Sequence, residues 1–455
     1  MTPATTAAIR NVIPTGTYSD MTRPTRPGAE SCSLLLLRPP HWKALLWPLR
    51  PNKSKTPSAR GSPESELPKP CQEGTSLVKT SGHLDVSTTR PRAHVAALAG
   101  LCQNRPAVPG LRPKEQRRLQ EAIARLAASR WPGLALERIE ELAGDASSRR
   151  YVRCYLKGGP VPTTVAMLME DPGIALSSEE LGVFGERGPR EVPFVNVARY
   201  LARVCDAVPA IYDVAPDGTC ILLEDVGDLT LWEAAATDAS AWFERALELL
   251  ARIQREARDD RSGCYAFAQR FDERLLWWEL EHFLEWGVRP LPPRLARQCR
   301  AELARLAERL AAVPAVFCHR DYHAWNIHVQ GERLRLLDFQ DALLGPRAYD
   351  VASLLTDRIT PRLVSESLEL KLISEFERLV GAPLGSTYLD CALHRALKVI
   401  GRFHYLAEHK GKPAYLAYLP QVEATARRVA ARIGAAESLA EVLAGWLKPA
   451  GGETR

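Results

Sequence analysis

Apolar residues between positions 111 and 227 occur mostly in short runs separated by turn residues. These runs predict strands at residues 136–142, 151–156, 163–169, 210–214 and 220–224. Apolar residues spaced three and four apart predict a helix at 114–128 and another at 194–203. We therefore expect a five-stranded antiparallel sheet with one helix between its third and fourth strands.

After Gly227 the helical spacing dominates the chain. It predicts helices at 241–257, 271–286, 293–312, 349–356, 366–380, 389–407 and 422–433. Short strands are expected at 315–318, 327–329 and 334–337, on the two sides of a polar loop. The pattern predicts an α+β fold with a small β-rich lobe at 111–227 and a large helical lobe at 228–455.

Residues 1–110 show neither the period of two typical of strands nor the period of 3.6 typical of helices, and they differ in composition from the rest of the chain. They hold 14 Lys and Arg against 6 Asp and Glu, and 15 of the 34 prolines. This composition predicts a disordered Pro/Arg-rich extension. A non-functional extension, or sequence upstream of the true start, is favoured over an organellar transit peptide, because no clear amphipathic helix is present.

The chain has a net charge of +6, but residues 111–455 hold 46 basic against 48 acidic residues. The folded region therefore gives no electrostatic case for a nucleic-acid partner. No run of 18 apolar residues predicts a membrane span. The ten cysteines include no C-x-x-C pair, so we expect reduced thiols in a cytoplasmic protein, which we take to be a monomer.

The strongest chemical signal is the segment His319-Arg320-Asp321-Tyr322-His323-Ala324-Trp325-Asn326, which fits the kinase catalytic loop H-R-D-x-x-x-x-N. Asp338-Phe339 follows twelve residues after the asparagine. Phosphoryl transfer needs a carboxylate that orients the attacking hydroxyl, a role we assign to Asp321. The oxygen atoms of Asn326 and Asp338 are suited to Mg²⁺.

The neighbouring residues are expected to support this loop. His319 and Arg320 belong to the motif, and His319 is expected to act through structural hydrogen bonds. Asp350 is expected either to cap its helix or to tie the catalytic loop down. His323 is expected to face either the substrate or solvent.

Four stretches carry a family resemblance: Asp145 to Tyr151, His319 to Asn326, Asp338 to Asp350, and His394 to Phe403. With these, residues 111–455 resemble the aminoglycoside-phosphotransferase-like kinases. Within that family they look most like the anomeric N-acetylmuramate/N-acetylglucosamine kinases of cell-wall recycling. The resemblance implies the bilobal protein-kinase-like fold, ATP and Mg²⁺ as cofactors, and a small-molecule sugar as substrate.

The nucleotide side departs from the protein-kinase pattern. Small residues before Ser147 and Ser148 let backbone N–H groups approach phosphates, and the serine hydroxyls can donate as well. Strand 163–169 lacks the usual phosphate-binding lysine, and Met169 stands near its place. Arg149, Arg150 or Arg153 is expected to supply the charge instead.

Two further groups complete the predicted site. Glu224 and Asp225 are expected at the hinge that reads adenine. On the acceptor side, Glu279 either hydrogen-bonds the sugar or belongs to a solvated helix face. Arg395 either meets a carboxylate of the acceptor or lies on a charged helix face.

The sequence thus predicts an ATP- and Mg²⁺-dependent kinase for the anomeric hydroxyl of N-acetylmuramate or N-acetylglucosamine. Two alternatives stay open. One is a kinase for another small hydroxyl compound, such as an aminoglycoside. The other is a nucleotide-binding pseudokinase scaffold, which the missing lysine favours.

Overall fold

Strands rich in apolar residues pair into a five-stranded antiparallel sheet in the first lobe. The computed structural model describes residues 110–142, 149–170, 191–259 and 262–450. The strands are β1 (Ala135–Leu142), β2 (Arg149–Lys157), β3 (Thr163–Met169), β4 (Ile211–Val214) and β5 (Cys220–Glu224). Their order in the sheet is β1-β2-β3-β5-β4, and every neighbouring pair is antiparallel.

Two helices accompany this sheet. Helix α1 (Pro113–Ser129) buries Leu119, Ile123 and Leu126 against one face of the sheet, because these residues recur at helical spacing. Helix α2 (Pro193–Val204) lies between β3 and β4 in the chain and joins the large core on the other face. The two faces of the sheet therefore belong to two separate hydrophobic clusters.

The second lobe is helical. Its helices are α3 (Leu231–Ala235), α4 (Ala239–Glu256), α5 (Glu273–His282), α6 (Pro293–Ala312), α7 (Ala348–Thr356), α8 (Glu366–Val380), α9 (Ser386–His409), α10 (Leu419–Arg432) and α11 (Glu437–Gly445). A π-helical turn, Phe283–Gly287, continues α5, and short 3₁₀ turns lie at Tyr265–Phe267, Thr360–Arg362 and Pro413–Tyr418. Helix α9 is the longest, and it packs against α5, α7 and α10.

Four short strands frame the polar loop that the sequence singled out. They are β6 (Ala315–Cys318), β7 (Ile327–Gln330), β8 (Arg333–Leu336) and β9 (Leu343–Pro346). Strand β6 pairs with β9, and β7 pairs with β8 in a tight hairpin. These two antiparallel pairs fix both ends of the loop and bring the segment after β8 back beside it.

The predicted elements agree closely with the structure, with a few differences. Strands β3, β5 and β6 and helices α6 and α8 have the predicted bounds. The single helix predicted at 271–286 is α5 followed by the π-helical turn. Strand β9 and helices α3 and α11 were not predicted.

Two predictions fall on other parts of the chain. The disordered extension expected at 1–110 lies, apart from Gly110, outside the described residues, as does the nucleotide loop with Ser147 and Ser148. Among the helices that the structure describes, none is long and apolar enough to cross a membrane.

Candidate active site

The polar loop between β6 and β7 is held in an unusual backbone conformation. Arg320 has a φ of 75°, in the left-handed region that residues other than glycine rarely adopt. The carboxylate of Asp350 accepts hydrogen bonds from the backbone N–H groups of His319 (2.7 Å) and Arg320 (3.0 Å). Asp350 is fully buried on α7, whose N-cap is Arg347. It therefore ties the loop down and does not cap the helix.

Asp321 lies in this loop among positive charges. Arg395 Nη1 is 3.6 Å from Asp321 Oδ1 and donates a 2.7 Å hydrogen bond to the backbone oxygen of Arg320. Burial by itself would raise the pKa of the Asp321 carboxyl, but the charges of Lys398 and Arg395 hold it well below its usual range. Asp321 is therefore ionised near neutral pH, as a proton acceptor must be.

Asn326 and Asp338 are brought together by the β7–β8 hairpin. The backbone N–H of Leu337 donates to the backbone oxygen of Asn326 at 2.8 Å, so Asp338 follows directly beside the asparagine. The Asn326 amide nitrogen donates to the backbone oxygen of Asp321 (3.0 Å), which leaves its side-chain oxygen for another partner. Asp338 has a φ of 64°. Burial, with the nearby charge of Asp321, raises the pKa of Asp338 to about 7.

A pocket in the helical lobe opens beside Asp321. We call it the helical-lobe pocket. Glu279, from α5, lies in its wall and is 2% exposed. Arg320 Nη2 donates to Glu279 Oε1 at 2.6 Å, and Lys398 Nζ lies 2.8 Å from the same oxygen. Burial opposes ionisation of Glu279, but Lys398 and Arg320 lower its pKa to about 2.

Of the two alternatives given for Glu279 from the sequence, the solvated helix face is excluded by its burial, and contact with the sugar stays a prediction. The carboxylate is not on a solvated face, because it is buried in an ion-paired cluster with Arg320 and Lys398. Arg395 is likewise buried, with an exposed fraction of 6%. Helical periodicity places a charge on a face but does not show that another helix covers that face.

His323 also lines the helical-lobe pocket. Its ring is 4% exposed, and burial lowers its pKa to about 4, so it is neutral near neutral pH. His319 is buried as well, and its ring meets Tyr322 edge to face at 5.7 Å. Of the two alternatives for His323, the solvated loop position is excluded by its burial.

A second pocket, of about 540 Å³, lies between the sheet and the helical lobe. We call it the cleft pocket. Tyr151, Val165, Glu224, Asp225 and Asp338 are among its lining residues. The Glu224 carboxylate is held by the backbone N–H of Ala210 (3.0 Å) and by Arg335, and the Asp225 carboxylate by Arg153 (2.6 Å).

The arginines of β2 divide between the two faces of the sheet, because side chains alternate along a strand. Arg150 forms ion pairs with Glu115 of α1 (2.6 Å) and Glu141 of β1 (2.7 Å). Its expected place beside the nucleotide is therefore not supported: it lies on the α1 side of the sheet. Arg149 and Arg153 are on the cleft side, in alternation with it.

Several residues of the site were missed by sequence reasoning. The amide nitrogen of Gln340 bridges Asp338 (2.8 Å) and Asp341 (3.0 Å), and Asp341 lines the helical-lobe pocket. Arg358 and Arg402 line the same pocket. Proximity to Asp338 was an available signal for Gln340 and Asp341. Arg402 lies in the stretch His394 to Phe403 that carries the family resemblance, whereas no comparable signal marks Arg358, which tertiary packing brings in.

This site can now be compared with known proteins. The sequence model of the phosphotransferase enzyme family matches residues 138–384, more than half of the chain. The chain belongs to this family, and it is a phosphotransferase.

Two sequence relatives and one solved structure are similar to this chain. The chain is 32% identical to the N-acetylmuramate/N-acetylglucosamine kinase of Pseudomonas aeruginosa over 269 residues, which are 55% of this chain and 77% of that protein. It is 27% identical to the enzyme of the same name from Neisseria meningitidis over 310 residues, 64% of this chain and 85% of that one. A solved choline/ethanolamine kinase family protein from Mesorhizobium loti is 17% identical with a TM-score of 0.43, covering 72% of this chain and 99% of its own.

Proposed function

We propose that this protein is an ATP-dependent kinase that phosphorylates the anomeric hydroxyl of N-acetylmuramate and N-acetylglucosamine. One observation carries the proposal: Asp321 lines the helical-lobe pocket, Asp338 lines the cleft pocket, and the charge of Asp321 acts on Asp338. An acceptor in one pocket and a nucleotide in the other would meet between these two carboxylates. The names of the relatives supply the identity of the acceptor.

Asp321 is proposed to orient the attacking hydroxyl and to accept its proton. Its low pKa keeps it ionised, and its hydrogen-bonded loop keeps it in place. Phosphoryl transfer requires little covalent chemistry from the protein, so positioning and charge stabilisation account for most of the catalysis. His319, Arg320 and Asp350 act through the loop by holding Asp321, and we regard them as positioning residues.

Asn326 and Asp338 are proposed to hold Mg²⁺. The fit is electrostatic: two nearby carboxylates, Asp321 and Asp338, raise each other's cost of ionisation, and a divalent cation would remove that cost. Among the described residues there is no group of three or more His, Cys, Asp or Glu side chains that could hold a metal. Nucleotide phosphates would therefore supply the remaining ligands. Mg²⁺ bound there would neutralise charge on the transferred phosphoryl group.

The cleft pocket is proposed to bind the nucleotide. Glu224 and Asp225 lie where β5 leaves the sheet and line the cleft pocket, and we propose that backbone groups of this segment read adenine. Their carboxylates are already engaged, by Arg335 and Arg153, so the side chains fix the strand and leave recognition to the backbone. Ser147 and Ser148 remain proposed hydrogen-bond donors to the nucleotide phosphates.

The charge of the helical-lobe pocket favours an acceptor that carries a carboxylate. Five cationic side chains line it against four carboxylates: Arg320, Arg358, Arg395, Lys398 and Arg402 against Glu279, Asp321, Asp341 and Asp357. His282 and His323 add no charge, because burial lowers both pKa values to about 4. A buried excess of positive charge is unfavourable until an anion compensates it. We expect Arg395 and His323 to contact the sugar and Glu279 to order Arg320 and Lys398 around it.

We also propose the wider setting of this reaction. The nucleotide would bind residues 111–227, and residues 228–455 would supply the catalytic loop and the acceptor site. The enzyme would act as a monomer in the cytoplasm on free sugars, with neither nucleic acid nor membrane as a partner.

The test is an ATP-turnover assay of the full chain with a panel of acceptors. N-acetylmuramate and N-acetylglucosamine are expected to be consumed, and ³¹P NMR should show a sugar 1-phosphate. The methyl glycoside of N-acetylglucosamine, which lacks a free anomeric hydroxyl, is the matched control and should be inert. Turnover of the glycoside, or of an aminoglycoside but neither free sugar, would reject the proposed acceptor.

The same assay tests Asp321. Asp321→Asn is expected to lower kcat by about 10³-fold or more while nucleotide affinity stays within a few-fold of the wild type. A wild-type protein that binds ATP but turns over no member of the panel would instead support the pseudokinase alternative.

A further inference from the structure

The cleft-facing side of β3 carries no charge. Val165, Met167 and Met169 share the face of the sheet that packs into the core on the cleft side, and Val165 lines the cleft pocket. Thr163–Met169 contains no lysine or arginine. Kinases of this fold class commonly use a lysine on the third strand to bind nucleotide phosphates. In this chain that charge must come from another element.

The neighbouring strand offers a cation at a matching position. In the antiparallel register of β2 and β3, Arg149 lies directly opposite Met169, and Tyr151 lies opposite Met167. Side chains directly opposite one another in antiparallel strands have Cβ atoms about 5 Å apart and point to the same face. Arg149 therefore projects from β2 onto the side of the sheet where the lysine of β3 would be expected.

The surroundings of Arg149 direct it toward the metal-binding segment. Arg149 is 7% exposed, and Tyr151, the next residue on the same face of β2, lines the cleft pocket. Asp338 lines the same cleft pocket as Tyr151, and Arg149 precedes Tyr151 by two residues on the same face of β2. A guanidinium in this position is next to the proposed site of the transferred phosphate.

The other two arginines of β2 are committed elsewhere. Arg150 points to the opposite face and is paired with Glu115 and Glu141. Arg153 is on the cleft face but bridges Asp225 (2.6 Å) and Asp228 (2.8 Å). It is also four residues from Arg149, which is about 13 Å along a strand. Arg153 therefore lies at the hinge end of the cleft, and Arg149 lies at the end near Asp338.

We infer that Arg149 binds the β- and γ-phosphates of ATP in place of the third-strand lysine. This inference rests on the nucleotide part of the proposed function. A guanidinium is well suited to the role, because its planar set of N–H donors binds two phosphate oxygens at once. In this arrangement the phosphate-binding cation lies on β2 instead of β3, on the same face of the sheet.

The first measurement is nucleotide affinity by calorimetry, made on the full chain with Mg²⁺ and without sugar. Arg149→Gln is expected to weaken ATP binding by about 10- to 100-fold, because charged hydrogen bonds to the phosphates are lost. Adenosine has no phosphates, so its affinity is expected to change by less than about threefold. Arg150→Gln, on the other face of the same strand, is the matched control and should leave ATP affinity unchanged.

The second measurement is a transfer of the charge between strands. In the double variant Arg149→Met/Met169→Lys, the ammonium returns to β3, opposite the vacated position. ATP affinity is expected to recover at least tenfold relative to Arg149→Met alone. Arg149→Lys is expected to retain part of the affinity, and it keeps the test available if the methionine variant does not fold.

Three results would overturn the inference: ATP affinity unchanged in Arg149→Gln, an equal loss for ATP and adenosine, or an equal loss in Arg150→Gln. The equal losses would show that the arginine supports the sheet and not the phosphates. Because these titrations contain no sugar, they are independent of the acceptor. A wild type that phosphorylates neither sugar would reject the proposed acceptor while leaving this comparison decisive for Arg149.

Discussion

Asp350 shows how one buried carboxylate organises the polar loop between β6 and β7. The left-handed conformation at Arg320 costs about 1 kcal/mol or more for a residue with a Cβ, so surrounding contacts must hold it. Asp350 accepts both neighbouring backbone N–H groups, and the Arg320 side chain is fixed by Glu279. These contacts keep Asp321, the next residue, in a defined position.

Asp350→Asn is therefore expected to affect stability and catalysis together. An asparagine side chain can accept only one of the two N–H bonds well, so one buried donor loses its partner. We expect a loss of about 1–3 kcal/mol in the free energy of unfolding, by urea denaturation, and at least a tenfold fall in kcat.

Asp390→Asn provides the comparison for this change. Asp390 pairs with Arg309, whose side chain is 45% exposed, so the pair is partly screened by water. We expect it to lose no more than about 1 kcal/mol and to keep its kcat. An Asp350→Asn enzyme with wild-type kcat would show that the loop does not depend on this anchor.

At the scale of elements, α9 approaches α5 unusually closely. A Cβ atom on Gly401 would lie 2.5 Å from the backbone oxygen of His282 and 2.8 Å from the Cα of Phe283. The contact lies where α5 becomes the π-helical turn, so neither backbone can yield easily. Because α9 also carries Arg395 and Lys398, this contact sets their distance from Glu279 on α5.

Gly401→Ala is expected to destabilise the protein by about 1–3 kcal/mol, measured by urea denaturation, because the added methyl overpacks a backbone contact. It should also raise KM for the sugar, since Lys398 would be displaced relative to Glu279.

Gly445→Ala is the matched control for that substitution. No atom lies within 4 Å of a Cβ placed at Gly445, at the end of α11. Its stability should be unchanged or slightly higher. Equal behaviour of the two variants would show that the α5–α9 contact adapts without cost.

At the scale of the whole molecule, the described lobes bury many histidines in neutral form. Burial lowers the pKa of each from 6.5 to about 4 in His282, His319, His323, His394 and His404. In the unfolded chain these rings take up protons below about pH 6.5. For these five rings the unfolded state then binds more protons than the folded state, so their titration favours unfolding in acid, and the raised pKa of Asp338 opposes only part of this effect.

The free energy of unfolding is accordingly expected to fall as the pH is lowered from about 6.5 toward 4. Each such histidine contributes about 2 kcal/mol to the loss by pH 5. Urea denaturation at several pH values measures this slope. His394→Gln should show a shallower slope than wild type, and stability that does not vary over this range would contradict the assigned burial effect.

The sequence by itself determined the positions of most elements and singled out the loop at 319–326 as the candidate catalytic loop. Periods of two and about 3.6 residues are local properties, so they located β3, β5, α6 and α8 with the observed bounds. The spacing of Asp321, Asn326 and Asp338 is also local, and the hairpin that joins them is short. Strand β9 and helix α11 were missed, although β6 and α7, which have the same lengths, were predicted.

Tertiary structure alone decided which of these residues meet. The register of β2 against β3 distinguishes Arg149 from Arg150, although they are adjacent in the chain. The packing of α9 on α5 makes a buried ion pair of Lys398 and Glu279, which excludes the solvated helix face that the sequence left open for Glu279. Such contacts join residues far apart in sequence, and their energies depend on burial and pairing. Local periodicity carries no information about burial or about pairing.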